Sequence, residues 1–107
     1  MIYAEVPVRS EGRAGFLREW SQHKDSVNLF TLSASLYDDA NTATVSTVTQ
    51  QNVDNGLTIA SPSLADPLWT AKISSTVAGR YTFQLLVAFS DGAKQCLEFC
   101  VNITDPG

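Results

Sequence analysis

Alternation of apolar and polar residues is strongest between Arg80 and Thr104, where RYTFQLLVAFS and AKQCLEFCVNIT flank Asp91-Gly92. Side chains repeat along a strand with a period of two, so Tyr81, Phe83, Leu85, Val87 and Phe89 share one face. Leu97, Phe99, Val101 and Ile103 do the same on the second run. The pattern predicts a β-hairpin closed by a two-residue turn. One apolar face cannot stand alone in water, and a second sheet must cover it.

The rest of the chain supplies the strands for that cover. VNLFTLSASLY, residues 27 to 37, alternates through Phe30, Leu32, Ala34 and Leu36, and Asp38-Asp39-Ala40-Asn41 closes it with turn residues. ATVSTVTQ, residues 43 to 50, has two mild faces and suits an edge. A turn at Asp54-Asn55-Gly56 leads to a short strand carrying Leu57 and Ile59, and SPSLADP, residues 61 to 67, reads as a loop. LWTAKISS then places Trp69, Ala71 and Ile73 on one side. The expectation is an all-β, immunoglobulin-like antiparallel β-sandwich of six or seven strands over residues 27 to 107, preceded by an extended N-terminal arm over residues 1 to 26.

The arm has a different character. EVPVRSEGRAG mixes Pro, Gly and charge without periodicity. In the FLREW that follows, Phe16, Leu17 and Trp20 would line one face of a short helix over residues 15 to 22. So short a helix needs something to dock against, either the chain's own sheet or another subunit. The second option makes Phe16, Leu17 and Trp20 buried anchors in a partner, with Arg13 and Arg18 making charged contacts around them.

Composition narrows the function. The chain has 107 residues, enough for one domain, with only 17 % charged residues and a net charge of -4. Residues 1 to 26 are neutral, four basic residues against four acids, whereas Lys72, Arg80 and Lys94 face seven acids in the remainder. An acidic body repels phosphate backbones, which argues against nucleic acid as a partner. No apolar run approaches the roughly 20 residues of a membrane helix, and MIYAEVPVRS does not resemble a secretory signal, so the expectation is a protein made in the cytoplasm with no membrane partner.

Candidate chemistry is sparse. Cys96 and Cys100 lie in one strand, about 13 Å apart at strand rise, beyond the roughly 7 Å limit for a disulfide. A structural zinc would need two further ligands, and His23, the one histidine, lies in the arm. Asp38-Asp39 and Asp54 fall in turns, where Asp serves the backbone, and neither stretch matches a calcium loop. No nucleophile elbow, zinc-protease or phosphate-loop motif is present, so no catalytic residue, metal or cofactor is expected. Trp69, Tyr37 and Tyr81 are the aromatic residues from which a sugar platform would be built, although alternation places Trp69 and Tyr81 with the core.

The order Lys24-Asp25, a Thr-rich strand, Gly56-Leu57-Thr58-Ile59, Gly79-Arg80-Tyr81 and Ser90-Asp91-Gly92 resembles the small immunoglobulin-like proteins of tailed bacteriophages and prophages, over residues 24 to 104. The sequence departs from that pattern at Ser26, where the family tends to have Pro, in a shorter turn before Tyr81 and in a longer arm. The resemblance implies a virion structural protein, multimeric in its assembly. It would act as an adaptor joining tail or neck to fibers, with a capsid decoration protein as the alternative. A free-standing module for carbohydrate or a host protein is the reading from a second class, and an enzyme that from a third.

Overall fold

The computed structural model describes residues 2 to 8 and 15 to 105. They form eight strands and one short helix: β1 (Ile2–Glu5), β2 (Arg18–His23), β3 (Asn28–Ser33), α1 (Ser35–Asn41), β4 (Val45–Gln51), β5 (Thr58–Ala65), β6 (Leu68–Ser74), β7 (Gly79–Phe89) and β8 (Lys94–Thr104). Two four-stranded sheets face each other, in the orders β1-β3-β6-β5 and β2-β8-β7-β4. The all-β expectation holds: residues 27 to 107 contribute six strands, within the six or seven anticipated, and β1 and β2 come from the stretch expected to be an arm. The sheets are also mixed, because β1 runs parallel to β3 and β2 parallel to β8.

The β7–β8 hairpin forms where alternation places it, and every residue of its apolar face is buried. Its turn is one residue longer than anticipated. Gly92 N–H donates to the Phe89 carbonyl and Phe89 N–H to the Ala93 carbonyl, leaving a three-residue loop with Gly92 at φ +90°. That positive φ is the glycine position of the common three-residue hairpin. β6 buries Trp69, Ala71 and Ile73, and β4 lies at a sheet edge as its mild faces anticipate.

Phe30 is the centre of the core. Its ring meets Phe99 edge-on at 5.1 Å, Phe83 at 5.9 Å and Trp69 at 6.2 Å, and stacks with Trp20 at 5.6 Å. β3 thereby ties the two sheets together through side chains alone, since its backbone pairs only with β1 and β6.

Four expectations are corrected. Residues 15 to 22 do not form a helix: Arg18–His23 is a strand, with Trp20 opposite Val101 and Trp20 and Gln22 facing inward. Nor is the segment before it an unburied arm, because Ala4 and Val6 belong to the core and Val6 N–H donates to the Ser33 carbonyl. Third, the strand expected through Tyr37 stops at Ser33. Ala34 N–H is claimed by the Pro67 carbonyl, and the chain turns into α1, which buries Tyr37 against Phe89 at 3.8 Å and leaves Leu36 exposed. The stretch 61 to 65, read as loop, continues β5 past a bulge that accommodates Ser61 and Pro62, as an edge strand permits.

Candidate functional site

The outer faces of the two sheets differ in chemistry. Inward pointing of Phe30, Leu32, Trp69, Ala71 and Ile73 sends Leu29, Thr31, Ser33, Leu68, Thr70, Lys72 and Ser74 to the other face, where Thr31 and Ser33 are themselves buried. Cross-strand register adds Tyr3 and Glu5 from β1 and Thr58, Ala60, Ser63 and Ala65 from β5. On this face only Glu5 and Lys72 are charged. Tyr3, Leu29 and Leu68 are exposed large side chains within it, at 48, 42 and 41 %. Glu5 is not free, since one carboxylate oxygen accepts from the Tyr3 hydroxyl at 2.8 Å and the other from Leu36 N–H at 3.2 Å.

The outer face of β2-β8-β7-β4 is polar. Glu19 accepts from the Asn102 amide at 3.2 Å and pairs with Arg80 at 3.8 Å, and the Arg80 guanidinium lies 5.5 Å from the centre of the Phe16 ring. Cys100, opposite Glu19 in register, is fully buried beneath this cover, and burial pushes its thiol pKa up. Cys96, four residues earlier on the same face, is exposed.

These positions distribute the residues that sequence reasoning singled out. Phe16 is half-buried and engaged by Arg80, and Leu17 is half-buried against the core with its N–H on the Glu98 carbonyl. Arg18 opens β2 and is exposed, whereas Trp20 is 7 % exposed and its indole N–H donates to Gln22 Oε1 at 2.9 Å. Arg13 lies outside the described residues. Trp20 is therefore spent on this chain's own core and is not presented to a partner. The three aromatic residues considered for sugar, Trp69, Tyr37 and Tyr81, are all buried as well.

What sequence reasoning missed is the sheet face carrying Tyr3, Leu29 and Leu68. A signal existed. Apart from Lys72, the outward positions of LFTLS and LWTAKIS are filled by Thr, Ser and Leu where a solvated face ordinarily carries more charge.

No family model matches the sequence, and no curated protein does. Solved structures share the fold, among them the following two. One is the endo-fucoidan hydrolase MfFcnA4 from glycoside hydrolase family 107, at 16 % identity and a TM-score of 0.62, covering 88 % of this chain and 13 % of that one. The other is the cysteine protease inhibitor EhICP2 from Entamoeba histolytica, at 9 % identity and a TM-score of 0.55, covering 81 % of this chain and 85 % of that one. The chain thus spans a small part of the hydrolase and most of the length of the inhibitor. At these identities the likeness is one of fold.

Among the described residues no group of three or more His, Cys, Asp or Glu side chains is arranged to hold a metal ion, and no helix is long and apolar enough to cross a membrane.

Proposed function

We propose that this protein is a non-enzymatic docking module of immunoglobulin-like architecture, a virion structural protein that joins larger phage components, in the manner of a fiber-tail adaptor. The observation that carries the reading is the outer face of β1-β3-β6-β5, charged only at Glu5 and Lys72 on a chain whose net charge is -4. Depletion of charge with Tyr and Leu retained is the composition of an interface centre and not of a solvated sheet.

Two features support the architecture. The partition β1-β3-β6-β5 against β4-β7-β8 matches the four-and-three strand division of an immunoglobulin domain, with β2 added beside β8. Tyr81, near the start of β7, donates its hydroxyl to the Val77 carbonyl at 2.8 Å, which is the arrangement of a tyrosine corner. The disulfide of antibody domains has no counterpart, as both cysteines are free.

Area constrains how such docking works. Four strands about 4.8 Å apart and some six residues long give a face of roughly 400 Å². A stable interface buries about 800 Å² per partner, so the partner must also cover adjoining surface. The edge of β5, exposed through residues 61 to 65, is next to the face and offers unpaired backbone groups.

The test is incorporation. Particles purified from the source phage are expected to contain this chain, at a copy number in step with tail proteins. Leu29→Glu is expected to remove it from particles without lowering its melting temperature. Absence of the wild-type chain from purified particles overturns the reading. Undiminished incorporation of the variant overturns the face, and a copy number matching the major capsid protein would replace adaptor by decoration protein.

A further inference from the structure

One end of the sandwich gathers several acids. The β1 end, α1, the β5–β6 turn and the β7–β8 turn bring Glu5, Asp38, Asp39, Asp66 and Asp91 there. Three of these have structural tasks that account for them. Glu5 receives Tyr3 and Leu36, Asp91 receives the Tyr37 hydroxyl at 3.0 Å and Ala93 N–H at 3.0 Å, and Asp66 Oδ1 receives Val45 N–H at 2.8 Å.

Asp38 is different. Each of its carboxylate oxygens has less than 1 Å² of accessible surface, and neither has a hydrogen-bond donor. It borders a cleft of about 430 Å³ that is also lined by Asp39, Asp66, Ser35, Thr44 and Ser90, and by no Lys, Arg or His. A buried carboxylate without a donor is costly, and a second carboxylate beside it raises the cost. Asp66 is that second carboxylate, on the wall of the same cleft. Two carboxylates brought together there can bond to each other only if one of them carries a proton.

We propose that Asp38 and Asp66 form a proton-dependent latch: one shared proton fastens α1 to the β5–β6 turn in acid, and its loss towards neutral pH loosens the corner between α1 and β4. The groups facing Asp38 are all acidic or neutral. Asp39 comes from its own helix and Asp66 from the β5–β6 turn, while Ser90 precedes Asp91 in the β7–β8 turn. Tyr37 of the same helix holds its proton towards Asp91, its own pKa raised by burial and by that bond. Burial first, then Asp66 and Asp39, push the Asp38 pKa up to about 6.

The corner is suited to respond. α1 has seven residues and no side-chain cap at its N-terminus, and it ends at Thr42 in the left-handed region. Asp66 also holds the first amide of edge strand β4, so repulsion at this pair acts on α1 and β4 together. The sign follows from a folded-state pKa above the unfolded one. The stabilisation is complete below the ordinary carboxylate range and is lost as pH rises through about 6.

The experiment uses the full chain. The melting temperature of the wild type is expected to fall by a few degrees between about pH 5 and about pH 7.5. Asp38→Asn, which mimics the protonated form, is expected to show no such fall and to exceed the wild type at the higher pH. Asp66→Asn, which retains an oxygen for Val45 N–H, is expected to remove the fall independently should the first variant fold poorly. In carbon-labelled wild-type protein the Asp38 carboxyl should titrate near pH 6. Titration with the ordinary carboxylates near about pH 4 overturns the latch, as does a fall in Asp38→Asn equal to that of the wild type. Stabilisation by millimolar calcium that a chelator reverses also overturns it, because the pair's occupant would then be a metal ion.

Discussion

The indole of Trp20 stacks on Phe30 at 5.6 Å and 26°, so a strand at the edge of one sheet reaches the central ring of the other. Trp20 also stands edge-on to Phe83 at 6.2 Å. Its N–H meets Gln22 Oε1, and the Gln22 amide donates onward to the Ile73 carbonyl of β6 at 3.0 Å. β2 is thus fixed by ring packing and by a buried polar chain that crosses between the sheets.

Trp20→Ala is expected to cost about 3–5 kcal/mol, the range for emptying a buried aromatic site. Trp20→Phe retains much of the packing and leaves Gln22 Oε1 without its donor, at about 1–3 kcal/mol. Denaturant unfolding measures both, and losses below about 0.5 kcal/mol for Trp20→Ala would mean that β2 contributes little to the folded state.

Tyr81→Phe removes the hydroxyl that caps the Val77 carbonyl. A loss of about 1 kcal/mol is expected, appearing as a lower denaturation midpoint with an unchanged slope. Gly56→Ala should be worse than Tyr81→Phe. A Cβ there would lie 3.2 Å from the Tyr81 ring, at a backbone φ of +100° that side chains rarely adopt.

The two thiols should separate cleanly. Under native conditions a thiol reagent is expected to modify Cys96, which is exposed, and to spare Cys100, which is buried and whose pKa is raised by that burial. In denaturant both should react. Mass spectrometry counts the adducts, and native labelling of Cys100 at the rate of Cys96 would contradict the cover formed by Arg80 and Glu19.

Leu86→Glu, on the outer face of the other sheet, is the control for docking. It is expected to leave particle incorporation intact where Leu29→Glu abolishes it, since Leu86 pairs with Cys96 across β7 and β8 and lies away from the face carrying Tyr3. Equal loss with both variants, measured on purified particles, would assign the effect to folding.

What could be read in advance tracks how one-sided each strand is. β7, β8 and β6 alternate because one face is wholly buried, and their residues declare it. β2 does not, since REWSQH buries only Trp20 and Gln22. The three-and-four spacing of Phe16, Leu17 and Trp20 imitates a helix face, while the β8 partner that decides the matter lies some eighty residues away. α1 escaped for the opposite reason: at seven residues it is too short to show a period, and Ala34 and Leu36 continue the alternation of β3. The face carrying Tyr3, Leu29 and Leu68 was hidden residue by residue, because the three come onto one side of one sheet only once register is fixed. The Asp38–Asp66 pair likewise joins two turns that each read as ordinary turn chemistry.

The parallel pairing of β2 with β8 has a consequence for how the protein is made. Residues 18 to 23 leave the ribosome long before residues 99 to 104, the strand with which they pair. Ladders between distant segments form late, because loop closure precedes any gain from contact. During synthesis the Trp20 segment must wait with its indole uncovered, in a stretch whose charges, Arg18 and Glu19 before it and Lys24 and Asp25 after, discourage it from pairing with a neighbouring nascent chain. The same four residues that look like decoration on the finished edge would then serve as escorts for an unfinished one.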